Sequence, residues 1–408
     1  MSKDYDVVIA GGGLNGPALG LALADAGLRV AVVDAAPSRQ RADDAFDGRA
    51  YALALASVRL LQGIGIWDDL AADSQPIRKV VARQAGASGA KVDPLGLFFD
   101  SAEIEEGVLG HMVEDRFLYR ALLAAMEARL THLPQTSVTG QSVDAAGVTV
   151  TLSDGQDLRA RLLVGADGRR SGVAERAGIK RVGHDYGQTA LVAALSITKP
   201  HEGTAWQVFL PTGPLAVLPL RGDKVSIVWS LTRPRAKAIA ALGDQDFLGV
   251  VAEQTEPLTG AISLAGPRFS YPLGLTLAQD YIADRVALIG DAAHGVHPIA
   301  GQGLNLGLRD VAALAETLVE AARRGEDIGF ATTLQHYQGW RRFDATALAL
   351  GMDGVNALFT NANPALRLAR GLGMGAVNAL PGLRRRFMRQ AAGLTQQPMP
   401  RLLAGRPL

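Results

Sequence analysis

The sequence predicts an α/β fold with three parts. One open-sheet domain is assembled from separated stretches of chain, a β-rich domain is inserted between them, and a helical region closes the C-terminus. Three observations predict it. Near the N-terminus the chain reads strand, glycine turn, helix, strand. Near residue 290 a buried strand again runs into a glycine-rich turn and a helix. Between the two lies a block of alternating apolar and polar residues, the pattern of antiparallel strands.

Taken in order, YDVVIA (5–10) is a continuous apolar run, as expected of a strand covered on both faces. GGGLNG then breaks it. PALGLALADAG reads as a helix, with Pro17 in its first turn and Gly27 beyond its end. LRVAVVDA is the second strand. Residues 36–50 read as a polar loop, followed by a helix over about 53–62. Residues 76–110 are Gly-rich and irregular, and FLYRALLAAMEARL is a helix. GVTVTLSDGQDLRARLLVGADG reads as a hairpin turning at Ser153–Gln156. TAWQVFL, GPLAVLPL and KVSIVWSL are antiparallel strands within 186–231, and a helix follows near 235–254. RVALIGD is a buried strand, and from about Val311 the chain reads as mostly helix. No internal repeat or low-complexity segment is visible.

Composition narrows the function. The chain has 408 residues, 48% of them hydrophobic and 20% charged, enough for a sizeable core. A formal net charge of +1 gives no general attraction to nucleic acid. The absence of cysteine excludes disulfides, thiol catalysis and Cys-ligated metals. The N-terminus lacks the basic-then-apolar pattern of a signal peptide, and no uncharged apolar run reaches the ~20 residues of a spanning helix. The expected location is cytoplasmic.

Gly11, Gly13 and Gly16 form GxGxxG between a strand and a helix. The first glycine permits a tight turn, the second lets a pyrophosphate approach the backbone, and the third lets helix and strand pack closely. The phosphates then sit on the helix N-terminus. Asp34 ends the second strand at the spacing expected of an acid that bonds a ribose hydroxyl. A second strand-end acid, Asp167, lies with Gly168 in GADGRRS. The third glycine-rich site is GDAAHGVHPIAGQGLNLG (290–307), where Asp291 stands at the carboxyl edge of the sheet and Gly301-Gln302-Gly303 opens a helix. Its small residues leave the first N–H groups free to face a planar ligand, and a helix N-terminus favours negative charge there. His294 and His297 have no third ligand at metal spacing, so no metal is expected.

In this order, GxGxxG, GADGxxS and GDAAHxxHPxxGQGLNxGxxD resemble the class A flavoprotein aromatic hydroxylases, and within them the ubiquinone-biosynthesis monooxygenases of the UbiH, UbiF and UbiL type. GRAYALALASVRLL, EDRFLYRALL, YGQTALVAAL, HEGTAWQVFLPTGPLAVLPL, SIVWSL and SYPLGLTLA carry the likeness over most of 1–345. The resemblance implies a Rossmann-like FAD-binding domain of the GR2 type, like p-hydroxybenzoate hydroxylase. That domain would comprise 1–75, 101–180 and 270–345. The substrate domain would comprise 76–100 and 181–269, and the C-terminal helical region 346–408.

It also implies that Gly11, Gly13, Gly16 and Asp34 contact the ADP half of FAD. Arg49 and Arg116 would lie near the phosphates or ribityl chain, Asp291 on the ribityl chain, and Pro298, Gly301, Gly303 and Asn305 against the flavin ring. Asp167 and Gly168 would serve both FAD and NAD(P)H. Similar enzymes more often carry glutamate where this chain has Asp34. His297 and Pro298 are the residues nearest to a catalytic role, although His294 and His297 read mainly as packing at the flavin.

The implied reaction is hydroxylation of a polyprenylated phenol by O2 through a C4a-hydroperoxide of the flavin, with NAD(P)H as a transient reductant. GLGMG (371–375) fails the GxGxxG spacing, so NAD(P)H has no Rossmann site of its own. Two alternatives remain at the sequence level: a hydroxylase of a small soluble aromatic, and a flavoprotein that mainly scaffolds a membrane-associated quinone-biosynthesis complex. After Asp353 the chain has no acid but many arginines, among them Arg367, Arg370, Arg384, Arg385, Arg386, Arg389, Arg401 and Arg406. They read either as a solvated basic face or as a peripheral contact with the inner membrane or a partner complex.

Overall fold

The computed structural model describes residues 4–37, 42, 48–85, 96–297, 301–360 and 363–408. Pro298 lies outside them. Three sheets organise the chain. In the first, strand Asp4–Ala10 pairs in parallel with Val30–Asp34 on one side and Asp157–Gly165 on the other. Val286–Leu288 and Thr131–Pro134 extend this parallel core outward. The hairpin turning near 153–156 joins Gly147–Leu152 to Asp157–Gly165, as its sequence indicates.

The parallel strands are apolar throughout because helices cover both faces. Helix Asn15–Asp25 lies on the sheet with Gly20 facing Ile9 and Val32, and its Leu19, Leu21 and Leu23 are fully buried. Gly16 permits this closeness, since a Cβ there would lie 2.0 Å from the Gly11 carbonyl oxygen.

The second sheet has eight strands and carries the inserted block. Thr204–Leu210, Gly213–Leu220 and Lys224–Thr232 are sequential antiparallel neighbours, as expected. Two strands of 17 residues, Arg181–Ile197 and Ile262–Ala278, connect this sheet to the first domain. Lys79–Gln84 and Leu97–Asp100 complete its far edge. Its core centres on Trp229, Val217 and Ile227, sealed by Phe247 and Val251 of helix Asp244–Thr259.

The segment after the polar loop differs from expectation. Helix Leu55–Gly63 is preceded by strand Ala50–Ala54, not by helix from residue 53. AYALA has helix-forming composition, but pairing with Gly110–Glu114 overrides it. These two strands and Gln75–Ile77 form the third, small sheet.

The C-terminal third is helical, as expected: Gln302–Arg323, Ala331–Thr360, Pro364–Ala379 and Pro381–Ala391. No helix among the described residues is long and apolar enough to cross a membrane. We propose the three-part division of the sequence analysis as the domain organisation. The first sheet draws on the separated stretches and the second mostly on the inserted block, with the 17-residue strands and the short strand His294–Gly295 crossing between them.

Candidate active site at the carboxyl edge of the first sheet

Three parallel strands end side by side. Ala10 is in register with Gly165, and Gly165 with Leu288. The three glycine-rich turns that follow these strands therefore meet at one rim, where ligands of open α/β sheets bind. Gly11 adopts φ +116°, and a Cβ on it would lie 2.3 Å from the Ala166 carbonyl oxygen. Asp34 is buried at the end of its strand, and a Cβ on Gly12 would lie 2.4 Å from its Oδ2. Gly13 behaves differently. A Cβ there would meet nothing within 4 Å, so protein packing does not require glycine at this position.

Asn15 joins the first and third turns. Glycine at 290 and at 307 makes room for its amide, since a Cβ at either would lie 2.3 Å from Asn15 Nδ2. Asn15 Oδ1 and Asp167 Oδ1 are both buried without a hydrogen-bond partner among the described residues. The other Asp167 oxygen accepts from the Val173 N–H at 3.1 Å. Asp291 follows Gly290, whose φ is +59°, and pairs with Arg169 at 3.2 Å. Arg169 also donates to the Val296 carbonyl at 3.1 Å, tying the turn to the segment that approaches Pro298.

Helix Gln302–Arg323 begins at Gly301, which is left-handed at φ +63°. No side chain caps this end and no acid lies in its first turn. The same holds for helix Asn15–Asp25. Among the described residues, neither helix N-terminus has a side-chain cap or an acid in its first turn, a state that favours a negatively charged ligand. Gly303 is open in the same sense as Gly13. Asn305 turns the other way. Its Nδ2 donates to the Ala52 and Gly301 carbonyls at 2.7 and 3.2 Å, and its Oδ1 accepts from Ala54 N–H and Ser57 Oγ, both at 2.8 Å. The amide is saturated, so what it offers a ring bound here is a fixed backbone.

Arg49 and Arg116 flank one end of the small sheet, where Ala50 pairs with Glu114. Arg49, half exposed, meets buried Asp115 at 3.0 Å, and Arg116 meets Glu114 at 2.8 Å.

The residue on which the rim rests carried no assigned role in the sequence. Asp310 is fully buried, two turns into the helix. Its Oδ2 accepts from the Gly290 N–H at 2.9 Å and faces His294 Nε2 at 2.5 Å. Its Oδ1 accepts from Arg341 Nε at 2.8 Å. Burial alone would raise its pKa, but His294 and Arg341 outweigh that and hold it below the usual carboxylate range. His294 is therefore occupied in this network.

His297 is buried, with Nε2 3.2 Å from Gln188 Oε1 and its ring edge-on to Tyr186 at 5.0 Å. Burial, reinforced by the nearby Arg169 charge, pulls its pKa down to about 4. It is a neutral imidazole at neutral pH.

Beside the N-terminus of helix Gln302–Arg323 lies a cavity of about 260 Å³. The small sheet (Ala52, Leu53), the large sheet (Val80, Trp206, Leu218) and Gln302 wall it. None of its described lining residues is charged.

Residues 4–347 match the FAD binding domain family. The chain belongs to that family. It is 44% identical to the ubiquinone hydroxylase UbiL of Rhodospirillum rubrum, with 100% of this chain and 94% of that protein aligned. It is 35% identical to the 3-demethoxyubiquinol 3-hydroxylase of Escherichia coli K12, covering 96% of this chain and 100% of the relative. The fold is that of p-nitrophenol 4-monooxygenase PnpA from Pseudomonas putida, with a TM-score of 0.81, 97% and 100% coverage and 19% identity.

FAD is the cofactor, and the rim fits it. The two uncapped helix ends suit its phosphates and the electron-rich edge of its ring, Gly13 and Gly303 keep backbone accessible, and the unpartnered oxygens of Asn15 and Asp167 need donors.

His297 yields a prediction. A histidine whose pKa is lower in the folded than in the unfolded state binds fewer protons when folded. Its contribution to stability is then full above pH 6.5 and falls as pH drops from 6.5 towards about 4. His297→Gln should flatten the stability profile in that window, by up to about 1.4 kcal/mol per pH unit. Urea unfolding at several pH values reads this, and an unchanged slope would mean the imidazole is protonated in the native protein.

Proposed function

We propose that this chain hydroxylates the aromatic ring of a polyprenylated phenol in ubiquinone biosynthesis, with O2 as oxidant and NAD(P)H as reductant. The single observation that carries the substrate class is the uncharged lining of the cavity beside the 302–323 helix. A soluble aromatic acid would need a cation for its carboxylate, because an unpaired buried charge costs several kcal/mol. A phenol on an apolar tail needs none. The names of the relatives, ubiquinone hydroxylase and 3-demethoxyubiquinol 3-hydroxylase, support the same reading.

When bound, FAD supplies the redox and oxygen chemistry. The protein supplies position and environment. Gly11, Gly13, Gly16 and Asp34 would hold the ADP half, with Arg49 and Arg116 towards the phosphates or ribityl chain. Asp291 would bond the ribityl hydroxyls, with Asp167 and Gly168 on the same rim. The uncapped end at Gly301–Gly303 would stabilise negative charge on the ring, near Pro298. Trp206, Val80 and Leu218 would sandwich the phenol and exclude water.

The basic tail splits into two sets. Arg384 pairs with Glu103 at 2.9 Å and Arg389 with Glu106 at 2.7 Å, so these two tie the last helix to the body. Arg385 and Arg386 are exposed on the last helix, where they line one groove with Glu103, Glu105 and Glu106, and Leu368 and Leu372 of the preceding helix are 63% and 58% exposed. Exposed apolar side chains and arginines suit peripheral contact with an anionic membrane, from which a prenylated substrate would come.

Three outcomes are expected. Purified protein with FAD, NAD(P)H and a prenylated phenol should yield a product heavier by one oxygen by mass spectrometry. Preferential turnover of a phenolic acid, or no turnover of any prenylated phenol, would refute the substrate class. Asp291→Ala should lower flavin retention after gel filtration by about tenfold or more, the loss of a charge-assisted hydrogen bond; an unchanged flavin content would remove Asp291 from the ribityl site. Neutralising Arg385 and Arg386 together should reduce sedimentation with anionic liposomes, with flavin content intact. Equal sedimentation at low salt would remove the membrane contact.

A further inference from the structure

The ring cavity is too small for a whole prenylated substrate. At about 260 Å³ it falls below the ~300–1,000 Å³ typical of sites that enclose a drug-sized ligand. A second cavity of about 580 Å³ adjoins it, and Ala82 and Phe209 line both. The second cavity runs between the edge of the large sheet and the C-terminal helices, walled by Leu97, Leu358, Leu366, Met374 and Val377.

Its one charged lining residue among the described residues, Arg370, is itself buried. The guanidinium donates to the Leu358 carbonyl and lies over the Phe359 ring, 5.3 Å from its centroid. Phe359 in turn stacks on Phe209, with centroids 3.8 Å apart and planes at 25°. Sheet, long helix and following helix are thus joined by one column: Phe209, Phe359, Arg370. Phe209, which borders both cavities, forms part of the divide between them.

We propose that the second cavity is the subsite for the polyprenyl tail, and that the Phe209–Phe359 pair is the post around which the substrate bends from ring to tail. The inference rests on the prenylated-phenol reading and adds a location to it. Three observations select the occupant. The cavity abuts the ring chamber, with Ala82 and Phe209 as their shared wall. Its lining offers almost no polar partner, which suits a hydrocarbon chain. Its outer wall includes Leu358 and Phe387, which are also solvent-exposed, so it opens among the apolar side chains of the C-terminal helices. A tail entering from that side would leave its distal units outside. Affinity should therefore rise with tail length only for the units the cavity holds.

Holoenzyme difference spectra in the flavin absorbance band test this without turnover. Two phenols with the same head are compared, one carrying one isoprene unit and one carrying three. The wild-type protein should bind the longer phenol at least about 100-fold more tightly, roughly tenfold per added unit after ordering costs. Met374→Trp fills the cavity and should bring the ratio of the two Kd values to within about threefold; Val377→Phe does the same if the first variant fails to hold flavin. A diazirine on the third isoprene unit should label residues within 355–387.

A wild-type ratio near one, a ratio unmoved by filling the cavity, or labelling confined elsewhere overturns the tail subsite and leaves the ring assignment standing. If neither phenol perturbs the flavin spectrum, the prenylated-phenol reading falls and takes this inference with it.

Discussion

A buried carboxylate sets the geometry of this site. Asp310 accepts from the Gly290 amide and His294, both in one turn, and from Arg341, far along the chain. Arg341 also pairs with Asp344 at 2.6 Å, and Arg309 lies 3.5 Å from the same carboxylate. Within this cluster the two acids face two arginines, so most of the buried charge is paired. Removing one partner from such a group costs about 3–5 kcal/mol, because the remaining charge stays in a medium that solvates it poorly. That penalty keeps the Gly290 turn, the 302–323 helix and the 331–360 helix in one arrangement. Gly290 could not hold φ +59° at the rim by its own preference, since glycine is the residue with most alternatives. The amide bond to Asp310 selects one of them.

The rim itself is built from features that weaken the free protein. Two helix N-termini without side-chain caps forgo about 1 kcal/mol each. The unpartnered oxygens of Asn15 and Asp167 carry a desolvation cost of about 1–3 kcal/mol apiece. Such costs are tolerable when a tightly held cofactor satisfies them, because ligand bound only by the native state adds its binding free energy to stability. The Asp310 network is therefore complementary to the rim. One engages both oxygens of its carboxylate within the protein, and the other leaves polar atoms open to FAD.

These two kinds of feature differ in how far the sequence reveals them. Gly11, Gly16 and Asp34 were legible because their spacing within one strand–turn–helix unit dictates the geometry, and the structure places them accordingly. Asp310 stood inside the quoted motif, yet its partners lie 16, 20 and 31 residues away, and no local pattern links them. Arg341 sits in a helix whose sequence reads as an ordinary polar face. Strand Ala50–Ala54 was hidden for a related reason: alanine and leucine favour helix, and only the ladder to Gly110–Glu114 decides otherwise. Asn305 was expected against the flavin ring, but the sequence did not show that its amide is spent on Ala52, Ala54 and Ser57. The apolar chambers arise between elements distant in sequence, so periodicity could not outline them.

The C-terminal arginines show why a charge count misleads. Read as a string, they form one basic tail. In the structure Glu103 and Glu106 neutralise Arg384 and Arg389, and Arg370 is drawn inward onto Phe359. Exposed ion pairs of this kind contribute about 0–1 kcal/mol each, so they orient the last helix more than they stabilise it. The last two helices expose Leu368, Leu372, Leu380 and Phe387 to solvent, and Arg385 and Arg386 are exposed on the second of them. Neither element would suffice alone. A few exposed leucines bind a bilayer weakly, and two arginines add about 1 kcal/mol each near an anionic surface. Together they would give the reversible attachment proposed above.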